Sequence, residues 1–151
     1  MVSGDPFRIF VTHAWQEDDD YLRVFEYLEG ARGFRYVNCS SLNPLPGPPG
    51  SDQEKESLRH QIAASEAVIA LAALIKGHHQ QLLFQLQCAR GLKKPVIMLP
   101  QFGHDLNLPL MFKGIANREV EWNDRAIVDA LRELARQEAT GRWETIEFKL
   151  D

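Results

Sequence analysis

The sequence predicts a single α/β domain built on a doubly wound parallel sheet, and three observations carry that reading. Strand-like and helix-like stretches alternate from the seventh residue almost to the end, with no internal repeat and no second domain. Two short runs, residues 67–72 (AVIALA) and 95–100 (PVIMLP), are almost uniformly apolar, as strands buried on both faces of a parallel sheet are. A length of 151 residues, 44% hydrophobic and 25% charged, suits one sizeable core.

Residues 7–12 (FRIFVT) form a β-rich run between Pro6 and His13. Asp18, Asp19 and Asp20 then precede residues 21–28, whose apolar side chains repeat at helical spacing. Acids at a helix start accept its free N–H groups and oppose its dipole. Gly30 and Gly33 end this helix, and residues 34–38 (FRYVN) read as the second strand. Residues 40–52 hold four of the eight prolines and form neither helix nor central strand. A connection that long in a compact domain is often functional.

Residues 53–64 are a polar amphipathic helix, 67–72 the third strand, 78–92 the third helix and 95–100 the fourth strand. A loop with Gly103, Pro109 and Gly114 leads to a short strand at 119–122. Asn123 or Asp124 caps a last helix with Ile127, Val128, Leu131 and Leu134 on one face. Residues 143–150 read as one further strand. Five strands joined by four helices point to the flavodoxin-like order 2-1-3-4-5. In such sheets a ligand sits beyond the strand C-termini, where strands 1 and 3 part. That topology brings Thr12, His13, Ala14, Trp15, the Pro-rich loop and the start of the third helix around one crevice.

Composition removes several function classes. No apolar run reaches the roughly 20 residues needed to span a bilayer. The opening residues lack the basic segment and cleavage site of a signal peptide, so a cytoplasmic location is expected. Cys39 and Cys88 are expected to be reduced, and no Cys/His spacing suits zinc. His78 and His79 point about 100° apart on a helix and form no joint metal ligand, so no metal is expected. A net charge of −4 without a long basic stripe argues against nucleic acid as a partner. A small anionic ligand remains compatible, since its phosphates need only one helix N-terminus or one cation.

Residues 8–15 (RIFVTHAW), followed by Asp19, Asp20 and Tyr21, resemble the opening of TIR-like domains of the Thoeris anti-phage type. The likeness continues through Asn38, Ser40, the Pro-rich loop, residues 59–64, the third strand and residues 91–97 (GLKKPVI). It ends on Trp122, Asn123, Ile127, Val128, Ala130 and Leu131, covering roughly residues 7–135 and leaving 136–151 as an extension. The opening motif and the W-N-x-x-x-I-V segment are its specific parts.

That resemblance implies cleavage of the nicotinamide–ribose bond of NAD and cyclisation of ADP-ribose into a signalling nucleotide. NAD enters as substrate, with no further cofactor. It also implies a homo-oligomer formed through TIR surfaces and a separate effector protein that senses the product. The implied catalytic residue is a glutamate on the third helix, four residues after an aromatic. That place falls on Gln85, with Gln81 at the aromatic position. A carboxylate stabilises the oxocarbenium-like cation formed as nicotinamide leaves, or acts as a base; a neutral amide does neither well. The chain is therefore expected to be inactive or impaired. Two origins fit Gln85: a natural, non-catalytic domain, or a Glu-to-Gln replacement made to trap a ligand.

At helical pitch Gln85 lies about 60° off the stripe formed by Leu82, Leu86 and Ala89, so it is expected to reach the crevice. The substrate-contact residues are Thr12, His13, Ala14, Trp15, Asp20, Tyr21, Asn38, Ser40, Ser41 and Gln81. Each has a plainer structural reading. Trp15 either stacks on a ring or covers the core edge, and Asn38, Ser40 and Ser41 either bond ribose or shape a turn. Two further functions compete: a non-enzymatic TIR-like module for nucleotide binding or assembly, and a relative of the nucleoside deoxyribosyltransferases. A phospho-acceptor receiver is excluded, because strand 3 runs into Leu71, Ala72, Ala73 and Leu74 without an acid.

Overall fold

The computed structural model describes residues 5–42, 47, 48 and 50–138. It contains a five-stranded sheet in the order β2-β1-β3-β4-β5, with every neighbouring pair parallel. The strands are β1 (Phe7–Val11), β2 (Tyr36–Asn38), β3 (Ala67–Leu71), β4 (Val96–Leu99) and β5 (Arg118–Glu119). The helices are α1 (Asp19–Gly30), α2 (Asp52–Ala64), α3 (Ile75–Gly91) and α4 (Asp124–Arg136). This is the flavodoxin-like arrangement expected from the alternation of patterns. Pairs α1/α4 and α2/α3 pack together, and right-handed crossovers place them on opposite faces of the sheet.

Every residue of β3 and β4 is buried, which explains their uninterrupted apolar runs. The helices meet the sheet through narrower stripes: Val24 and Leu28 from α1, Leu58 and Ile62 from α2, Leu82 and Leu86 from α3, Ile127 and Leu131 from α4. Asn123 caps α4 by accepting the Ala126 N–H at 2.9 Å. Ser51 caps α2 by accepting the Glu54 N–H at 3.2 Å.

Several boundaries differ from expectation for identifiable reasons. β2 is shorter than 34–38, because Phe34 turns inward to stack on Phe7 with ring centroids 5.0 Å apart. The strand expected at 119–122 is only Arg118–Glu119. Trp122 is held instead by its indole, which donates to the Pro100 carbonyl at 2.7 Å. Asp18 occupies the N-cap of α1 without a side-chain capping bond. Asp20 faces away from the helix start, accepting from Arg23 at 2.7 Å and from the Phe102 N–H at 3.0 Å. α3 begins at Ile75, but Lys76, Gly77 and His78 are non-helical, with Gly77 at φ +96°. The strand expected at 143–150 lies outside the described residues. Among the described residues, no helix is long and apolar enough to cross a membrane.

Candidate functional site

The ends of β1 and β3 are stitched one residue beyond the sheet by Thr12. Its N–H donates to the Ile69 carbonyl at 3.0 Å, and its hydroxyl accepts the Leu71 N–H at 3.0 Å. Past this stitch the chains diverge and leave a crevice of about 420 Å³ bordered by Thr12, His13, Asp19, Leu74, Lys76 and Phe102. A second cleft of about 490 Å³ opens between α2 and α3, lined by Glu54, Lys55, Gln81 and Phe84 among others. His78, at the backbone kink, lines both. The single crevice expected from topology is thus two adjoining clefts.

Gln85 does not reach either cleft. It is 0% exposed, and its carboxamide closes on the peptide of His13. Nε2 donates to the His13 carbonyl at 2.7 Å, and Oε1 accepts the His13 N–H at 3.1 Å. The expectation that this residue flanks the core while facing the crevice is therefore corrected. The loop after β1 folds over that flank of α3 and seals it.

The imidazole of His13 is nearly enclosed and belongs to a second set of bonds. Its Nδ1 accepts the Trp15 N–H at 3.1 Å, so the ring proton sits on Nε2 and is donated to Gln61 Oε1 at 3.1 Å. Burial pushes its pKa down to about 4, against the opposing pull of the Gln61 bond and the Glu54 charge. Gln61 in turn holds Ser41: its Oε1 accepts the Ser41 N–H at 3.0 Å, and its Nε2 donates to the Ser41 carbonyl at 3.1 Å. The first residues of the Pro-rich connection are thereby tied to α2.

Trp15 adopts a left-handed backbone conformation (φ +64°), uncommon for a bulky residue. Its ring meets His13 edge-on at 4.8 Å, and its indole donates to Glu54 Oε2 at 2.7 Å. Glu54, only 3% exposed, also accepts the Gly50 N–H on Oε1 at 2.6 Å and, more weakly, the Gln81 amide on Oε2 at 3.4 Å. Both ends of the Pro-rich connection are thus anchored on α2, through Gln61 and Glu54. Sequence reasoning missed these two residues. The pattern Ser51-x-x-Glu54 was a visible signal of a helix start, but its acid reaches Gly50 and Trp15 across the loop.

The remaining expected contacts divide. Tyr21 and Asp20 border the crevice, though Asp20 is already engaged by Arg23 and Phe102. Asn38, Ser40 and Tyr21 bond one another: Tyr21 Oη lies 3.0 Å from Ser40 Oγ, and Asn38 Nδ2 donates to Tyr21 Oη at 3.2 Å. Asn38 Oδ1 also accepts the Ser40 N–H at 2.9 Å and the Ser40 hydroxyl. Ala14 is buried within the loop after β1, and Gln81 borders the α2–α3 cleft beside His78, whose Nδ1 lies 3.0 Å from the Gln81 Oε1.

The strand order and the opening beyond β1 and β3 define a flavodoxin-like α/β domain with one cleft at the switch point and a second beside it between α2 and α3. Among solved structures, the chain is similar to the CMP N-glycosidase of Clostridium botulinum, with a TM-score of 0.51 and 16% sequence identity. The likeness covers 82% of this chain and 96% of that one, and it is one of fold. No protein-family model matches the sequence, and no curated protein matches it.

Proposed function

We propose that this chain is an intracellular nucleotide-binding domain that holds a ligand of the NAD or ADP-ribose kind without cleaving it through residue 85. The observation that carries this reading is the closed clamp of Gln85 on His13. Cleaving an N-ribosyl bond requires a group that meets the developing cation at the sugar, and an amide sealed at 0% exposure cannot meet it.

Support for a nucleotide comes from three directions. Two clefts of similar size meeting at His78 suit a ligand with two ends. The opening motif resembles TIR-like domains, whose implied substrate is NAD. A protein sharing the fold is named for action on a nucleotide. Loss of cleavage with retention of the fold makes the domain a receptor for such a nucleotide, alone or assembled with further copies.

Calorimetric titration with NAD, ADP-ribose and CMP, paired with chromatography for released nicotinamide and cytosine, tests the proposal. Saturable binding of at least one nucleotide with no base released is the expected outcome. Repeated turnover would overturn the non-cleaving reading, and absence of binding to all three would overturn the nucleotide.

A further inference from the structure

Arginines of α1, α2 and α4 meet acids, as Arg23 does Asp20, Arg59 does Glu56 and Arg136 does Glu66. The end of α3 is different. Arg90, in its last turn, and Lys93 and Lys94, just beyond it, form no ion pair with any described residue. They do so on a chain whose net charge is −4, so acids are not scarce. One cation in a last helical turn offsets the dipole at that end, and Arg90 meets that need. Lys93 and Lys94 lie past the turn and are not accounted for by it.

Lys93 is also there against local preference. The Lys94 N–H donates to the Ala89 carbonyl at 2.9 Å and the Lys93 N–H to the Arg90 carbonyl at 3.0 Å, the paired bonds of a Schellman turn. The residue that turns left-handed in this motif is usually glycine, which has no Cβ to clash. Here it is Lys93, at φ +61°. The turn would close more easily without that side chain.

All three cations line one cavity of about 430 Å³ at the N-terminal ends of β4 and β5, the end of the sheet opposite Thr12. Buried Ile115 and half-buried Leu134 give it an apolar side. Asn117 also lines it; its Oδ1 accepts the Val96 N–H at 2.7 Å, which leaves Nδ2 to donate elsewhere. No acidic side chain lines the cavity. Its charged and polar side chains therefore offer donors and positive charge with nothing to balance them.

We propose that this cavity binds a small soluble anion with two adjacent phosphate groups, held by Arg90, Lys93 and Lys94 with Asn117 as a neutral donor. A single phosphate monoester carries at most about two negative charges near pH 7, so three cations match a diphosphate better. Arginine grips phosphate oxygens in pairs, and the lysines supply mobile point charges around them. The site is separate from the nucleotide reading above, since none of its residues borders either cleft.

The experiment titrates the protein with inorganic pyrophosphate and, at matched ionic strength, with inorganic phosphate, following backbone amides by NMR. Pyrophosphate should saturate, bind more tightly than phosphate and shift the amides of residues 90–94 and 114–117. Arg90→Ala, Lys94→Ala and Lys93→Gly should each weaken it about two- to fivefold, as loss of one exposed charge pair does. Lys93→Gly is the decisive variant: relief of the left-handed turn should raise its melting temperature while its affinity falls, and a purely structural lysine would lose nothing. Absence of saturation, equal affinity for the two anions, or an undiminished affinity in Lys93→Gly overturns the inference. Shifts confined to residues 12–23 and 71–78 would put the anion in the crevice and overturn it as well.

Discussion

Gln85 holds the peptide of His13 at both ends, donating to its carbonyl at 2.7 Å and accepting its N–H at 3.1 Å across 72 residues of chain. A carboxamide presents donor and acceptor side by side, and an ionised carboxylate offers acceptors alone. A glutamate at this position would, in the present loop conformation, set an oxygen against the His13 carbonyl.

Gln85→Glu is therefore expected to destabilise the protein by about 1–3 kcal/mol at neutral pH, through a lost buried bond and an unpaired buried charge. The introduced carboxyl, buried without a cation, takes a folded-state pKa above its unfolded value. The stability it permits is fully present below the unfolded pKa and is lost as pH rises through the folded one. Thermal melts of parent and variant at about pH 5 and about pH 8 should show the wider gap at the higher pH. Equal gaps, or a gain of nicotinamide release, would show that the side chain leaves the clamp and reaches the cleft.

His13 sets a second pH dependence, of opposite sign. Its folded pKa is lowered from 6.5 to about 4, first by burial, so between those values the unfolded chain binds more protons than the folded one. Its contribution is fully present above about pH 6.5 and is lost as pH falls toward 4, on the order of 3 kcal/mol in all. Replacement by glutamine, which cannot titrate, should flatten the stability curve over that interval. An NMR titration should show the His13 ring neutral, with its proton on Nε2, at pH 6; a midpoint near 6.5 would mean that the ring is open to solvent.

Trp15→Phe keeps an aromatic edge beside His13 but removes the indole donor to Glu54. A bond to a charged acceptor is involved, so a loss of about 1.5–3 kcal/mol is expected. The Gly50 amide, which donates to the same carboxylate, should exchange with deuterium faster in the variant. An unchanged Gly50 rate would show that the carboxylate is positioned without Trp15.

Arg136, the last residue of α4, ties the helix end to the lower edge of the sheet. Its guanidinium meets Glu66 at 2.9 and 2.8 Å, donates to the Pro6 carbonyl at 3.1 Å and lies 3.8 Å over the Phe7 ring. The Arg136 hydrogen bond holds the Glu66 carboxyl below the usual carboxylate range. That contribution is present above the unfolded pKa of glutamate and is lost as pH falls through the lowered value. Arg136→Ala should cost about 1–3 kcal/mol near pH 7, with the deficit shrinking below about pH 4. A deficit independent of pH would assign the loss to packing on Phe7 instead.

What the sequence alone determined is everything that local pattern encodes. The runs at residues 67–72 and 95–100 are apolar because their strands are covered on both faces, and that periodicity needs no partner to be read. Alternating strands and helices then admit few connections, so the order 2-1-3-4-5 and the position of the crevice followed from handedness. The Asn123 cap was equally legible, being a bond between residues three apart.

The tertiary structure decided which polar side chains face the clefts. Gln85 sits at a helical position that pattern alone leaves on the border of the core, and the loop after β1 covers it. Glu54 reads locally as an ordinary acid in a first helical turn, yet Trp15 and Gly50 enclose it from separate loops. Periodicity reports which face of an element is covered, because burial of apolar area depends on side-chain type and spacing. It does not report which donor meets which acceptor. Those meetings span tens of residues and depend on loop conformations, such as the left-handed turn at Trp15, that only the packed chain selects.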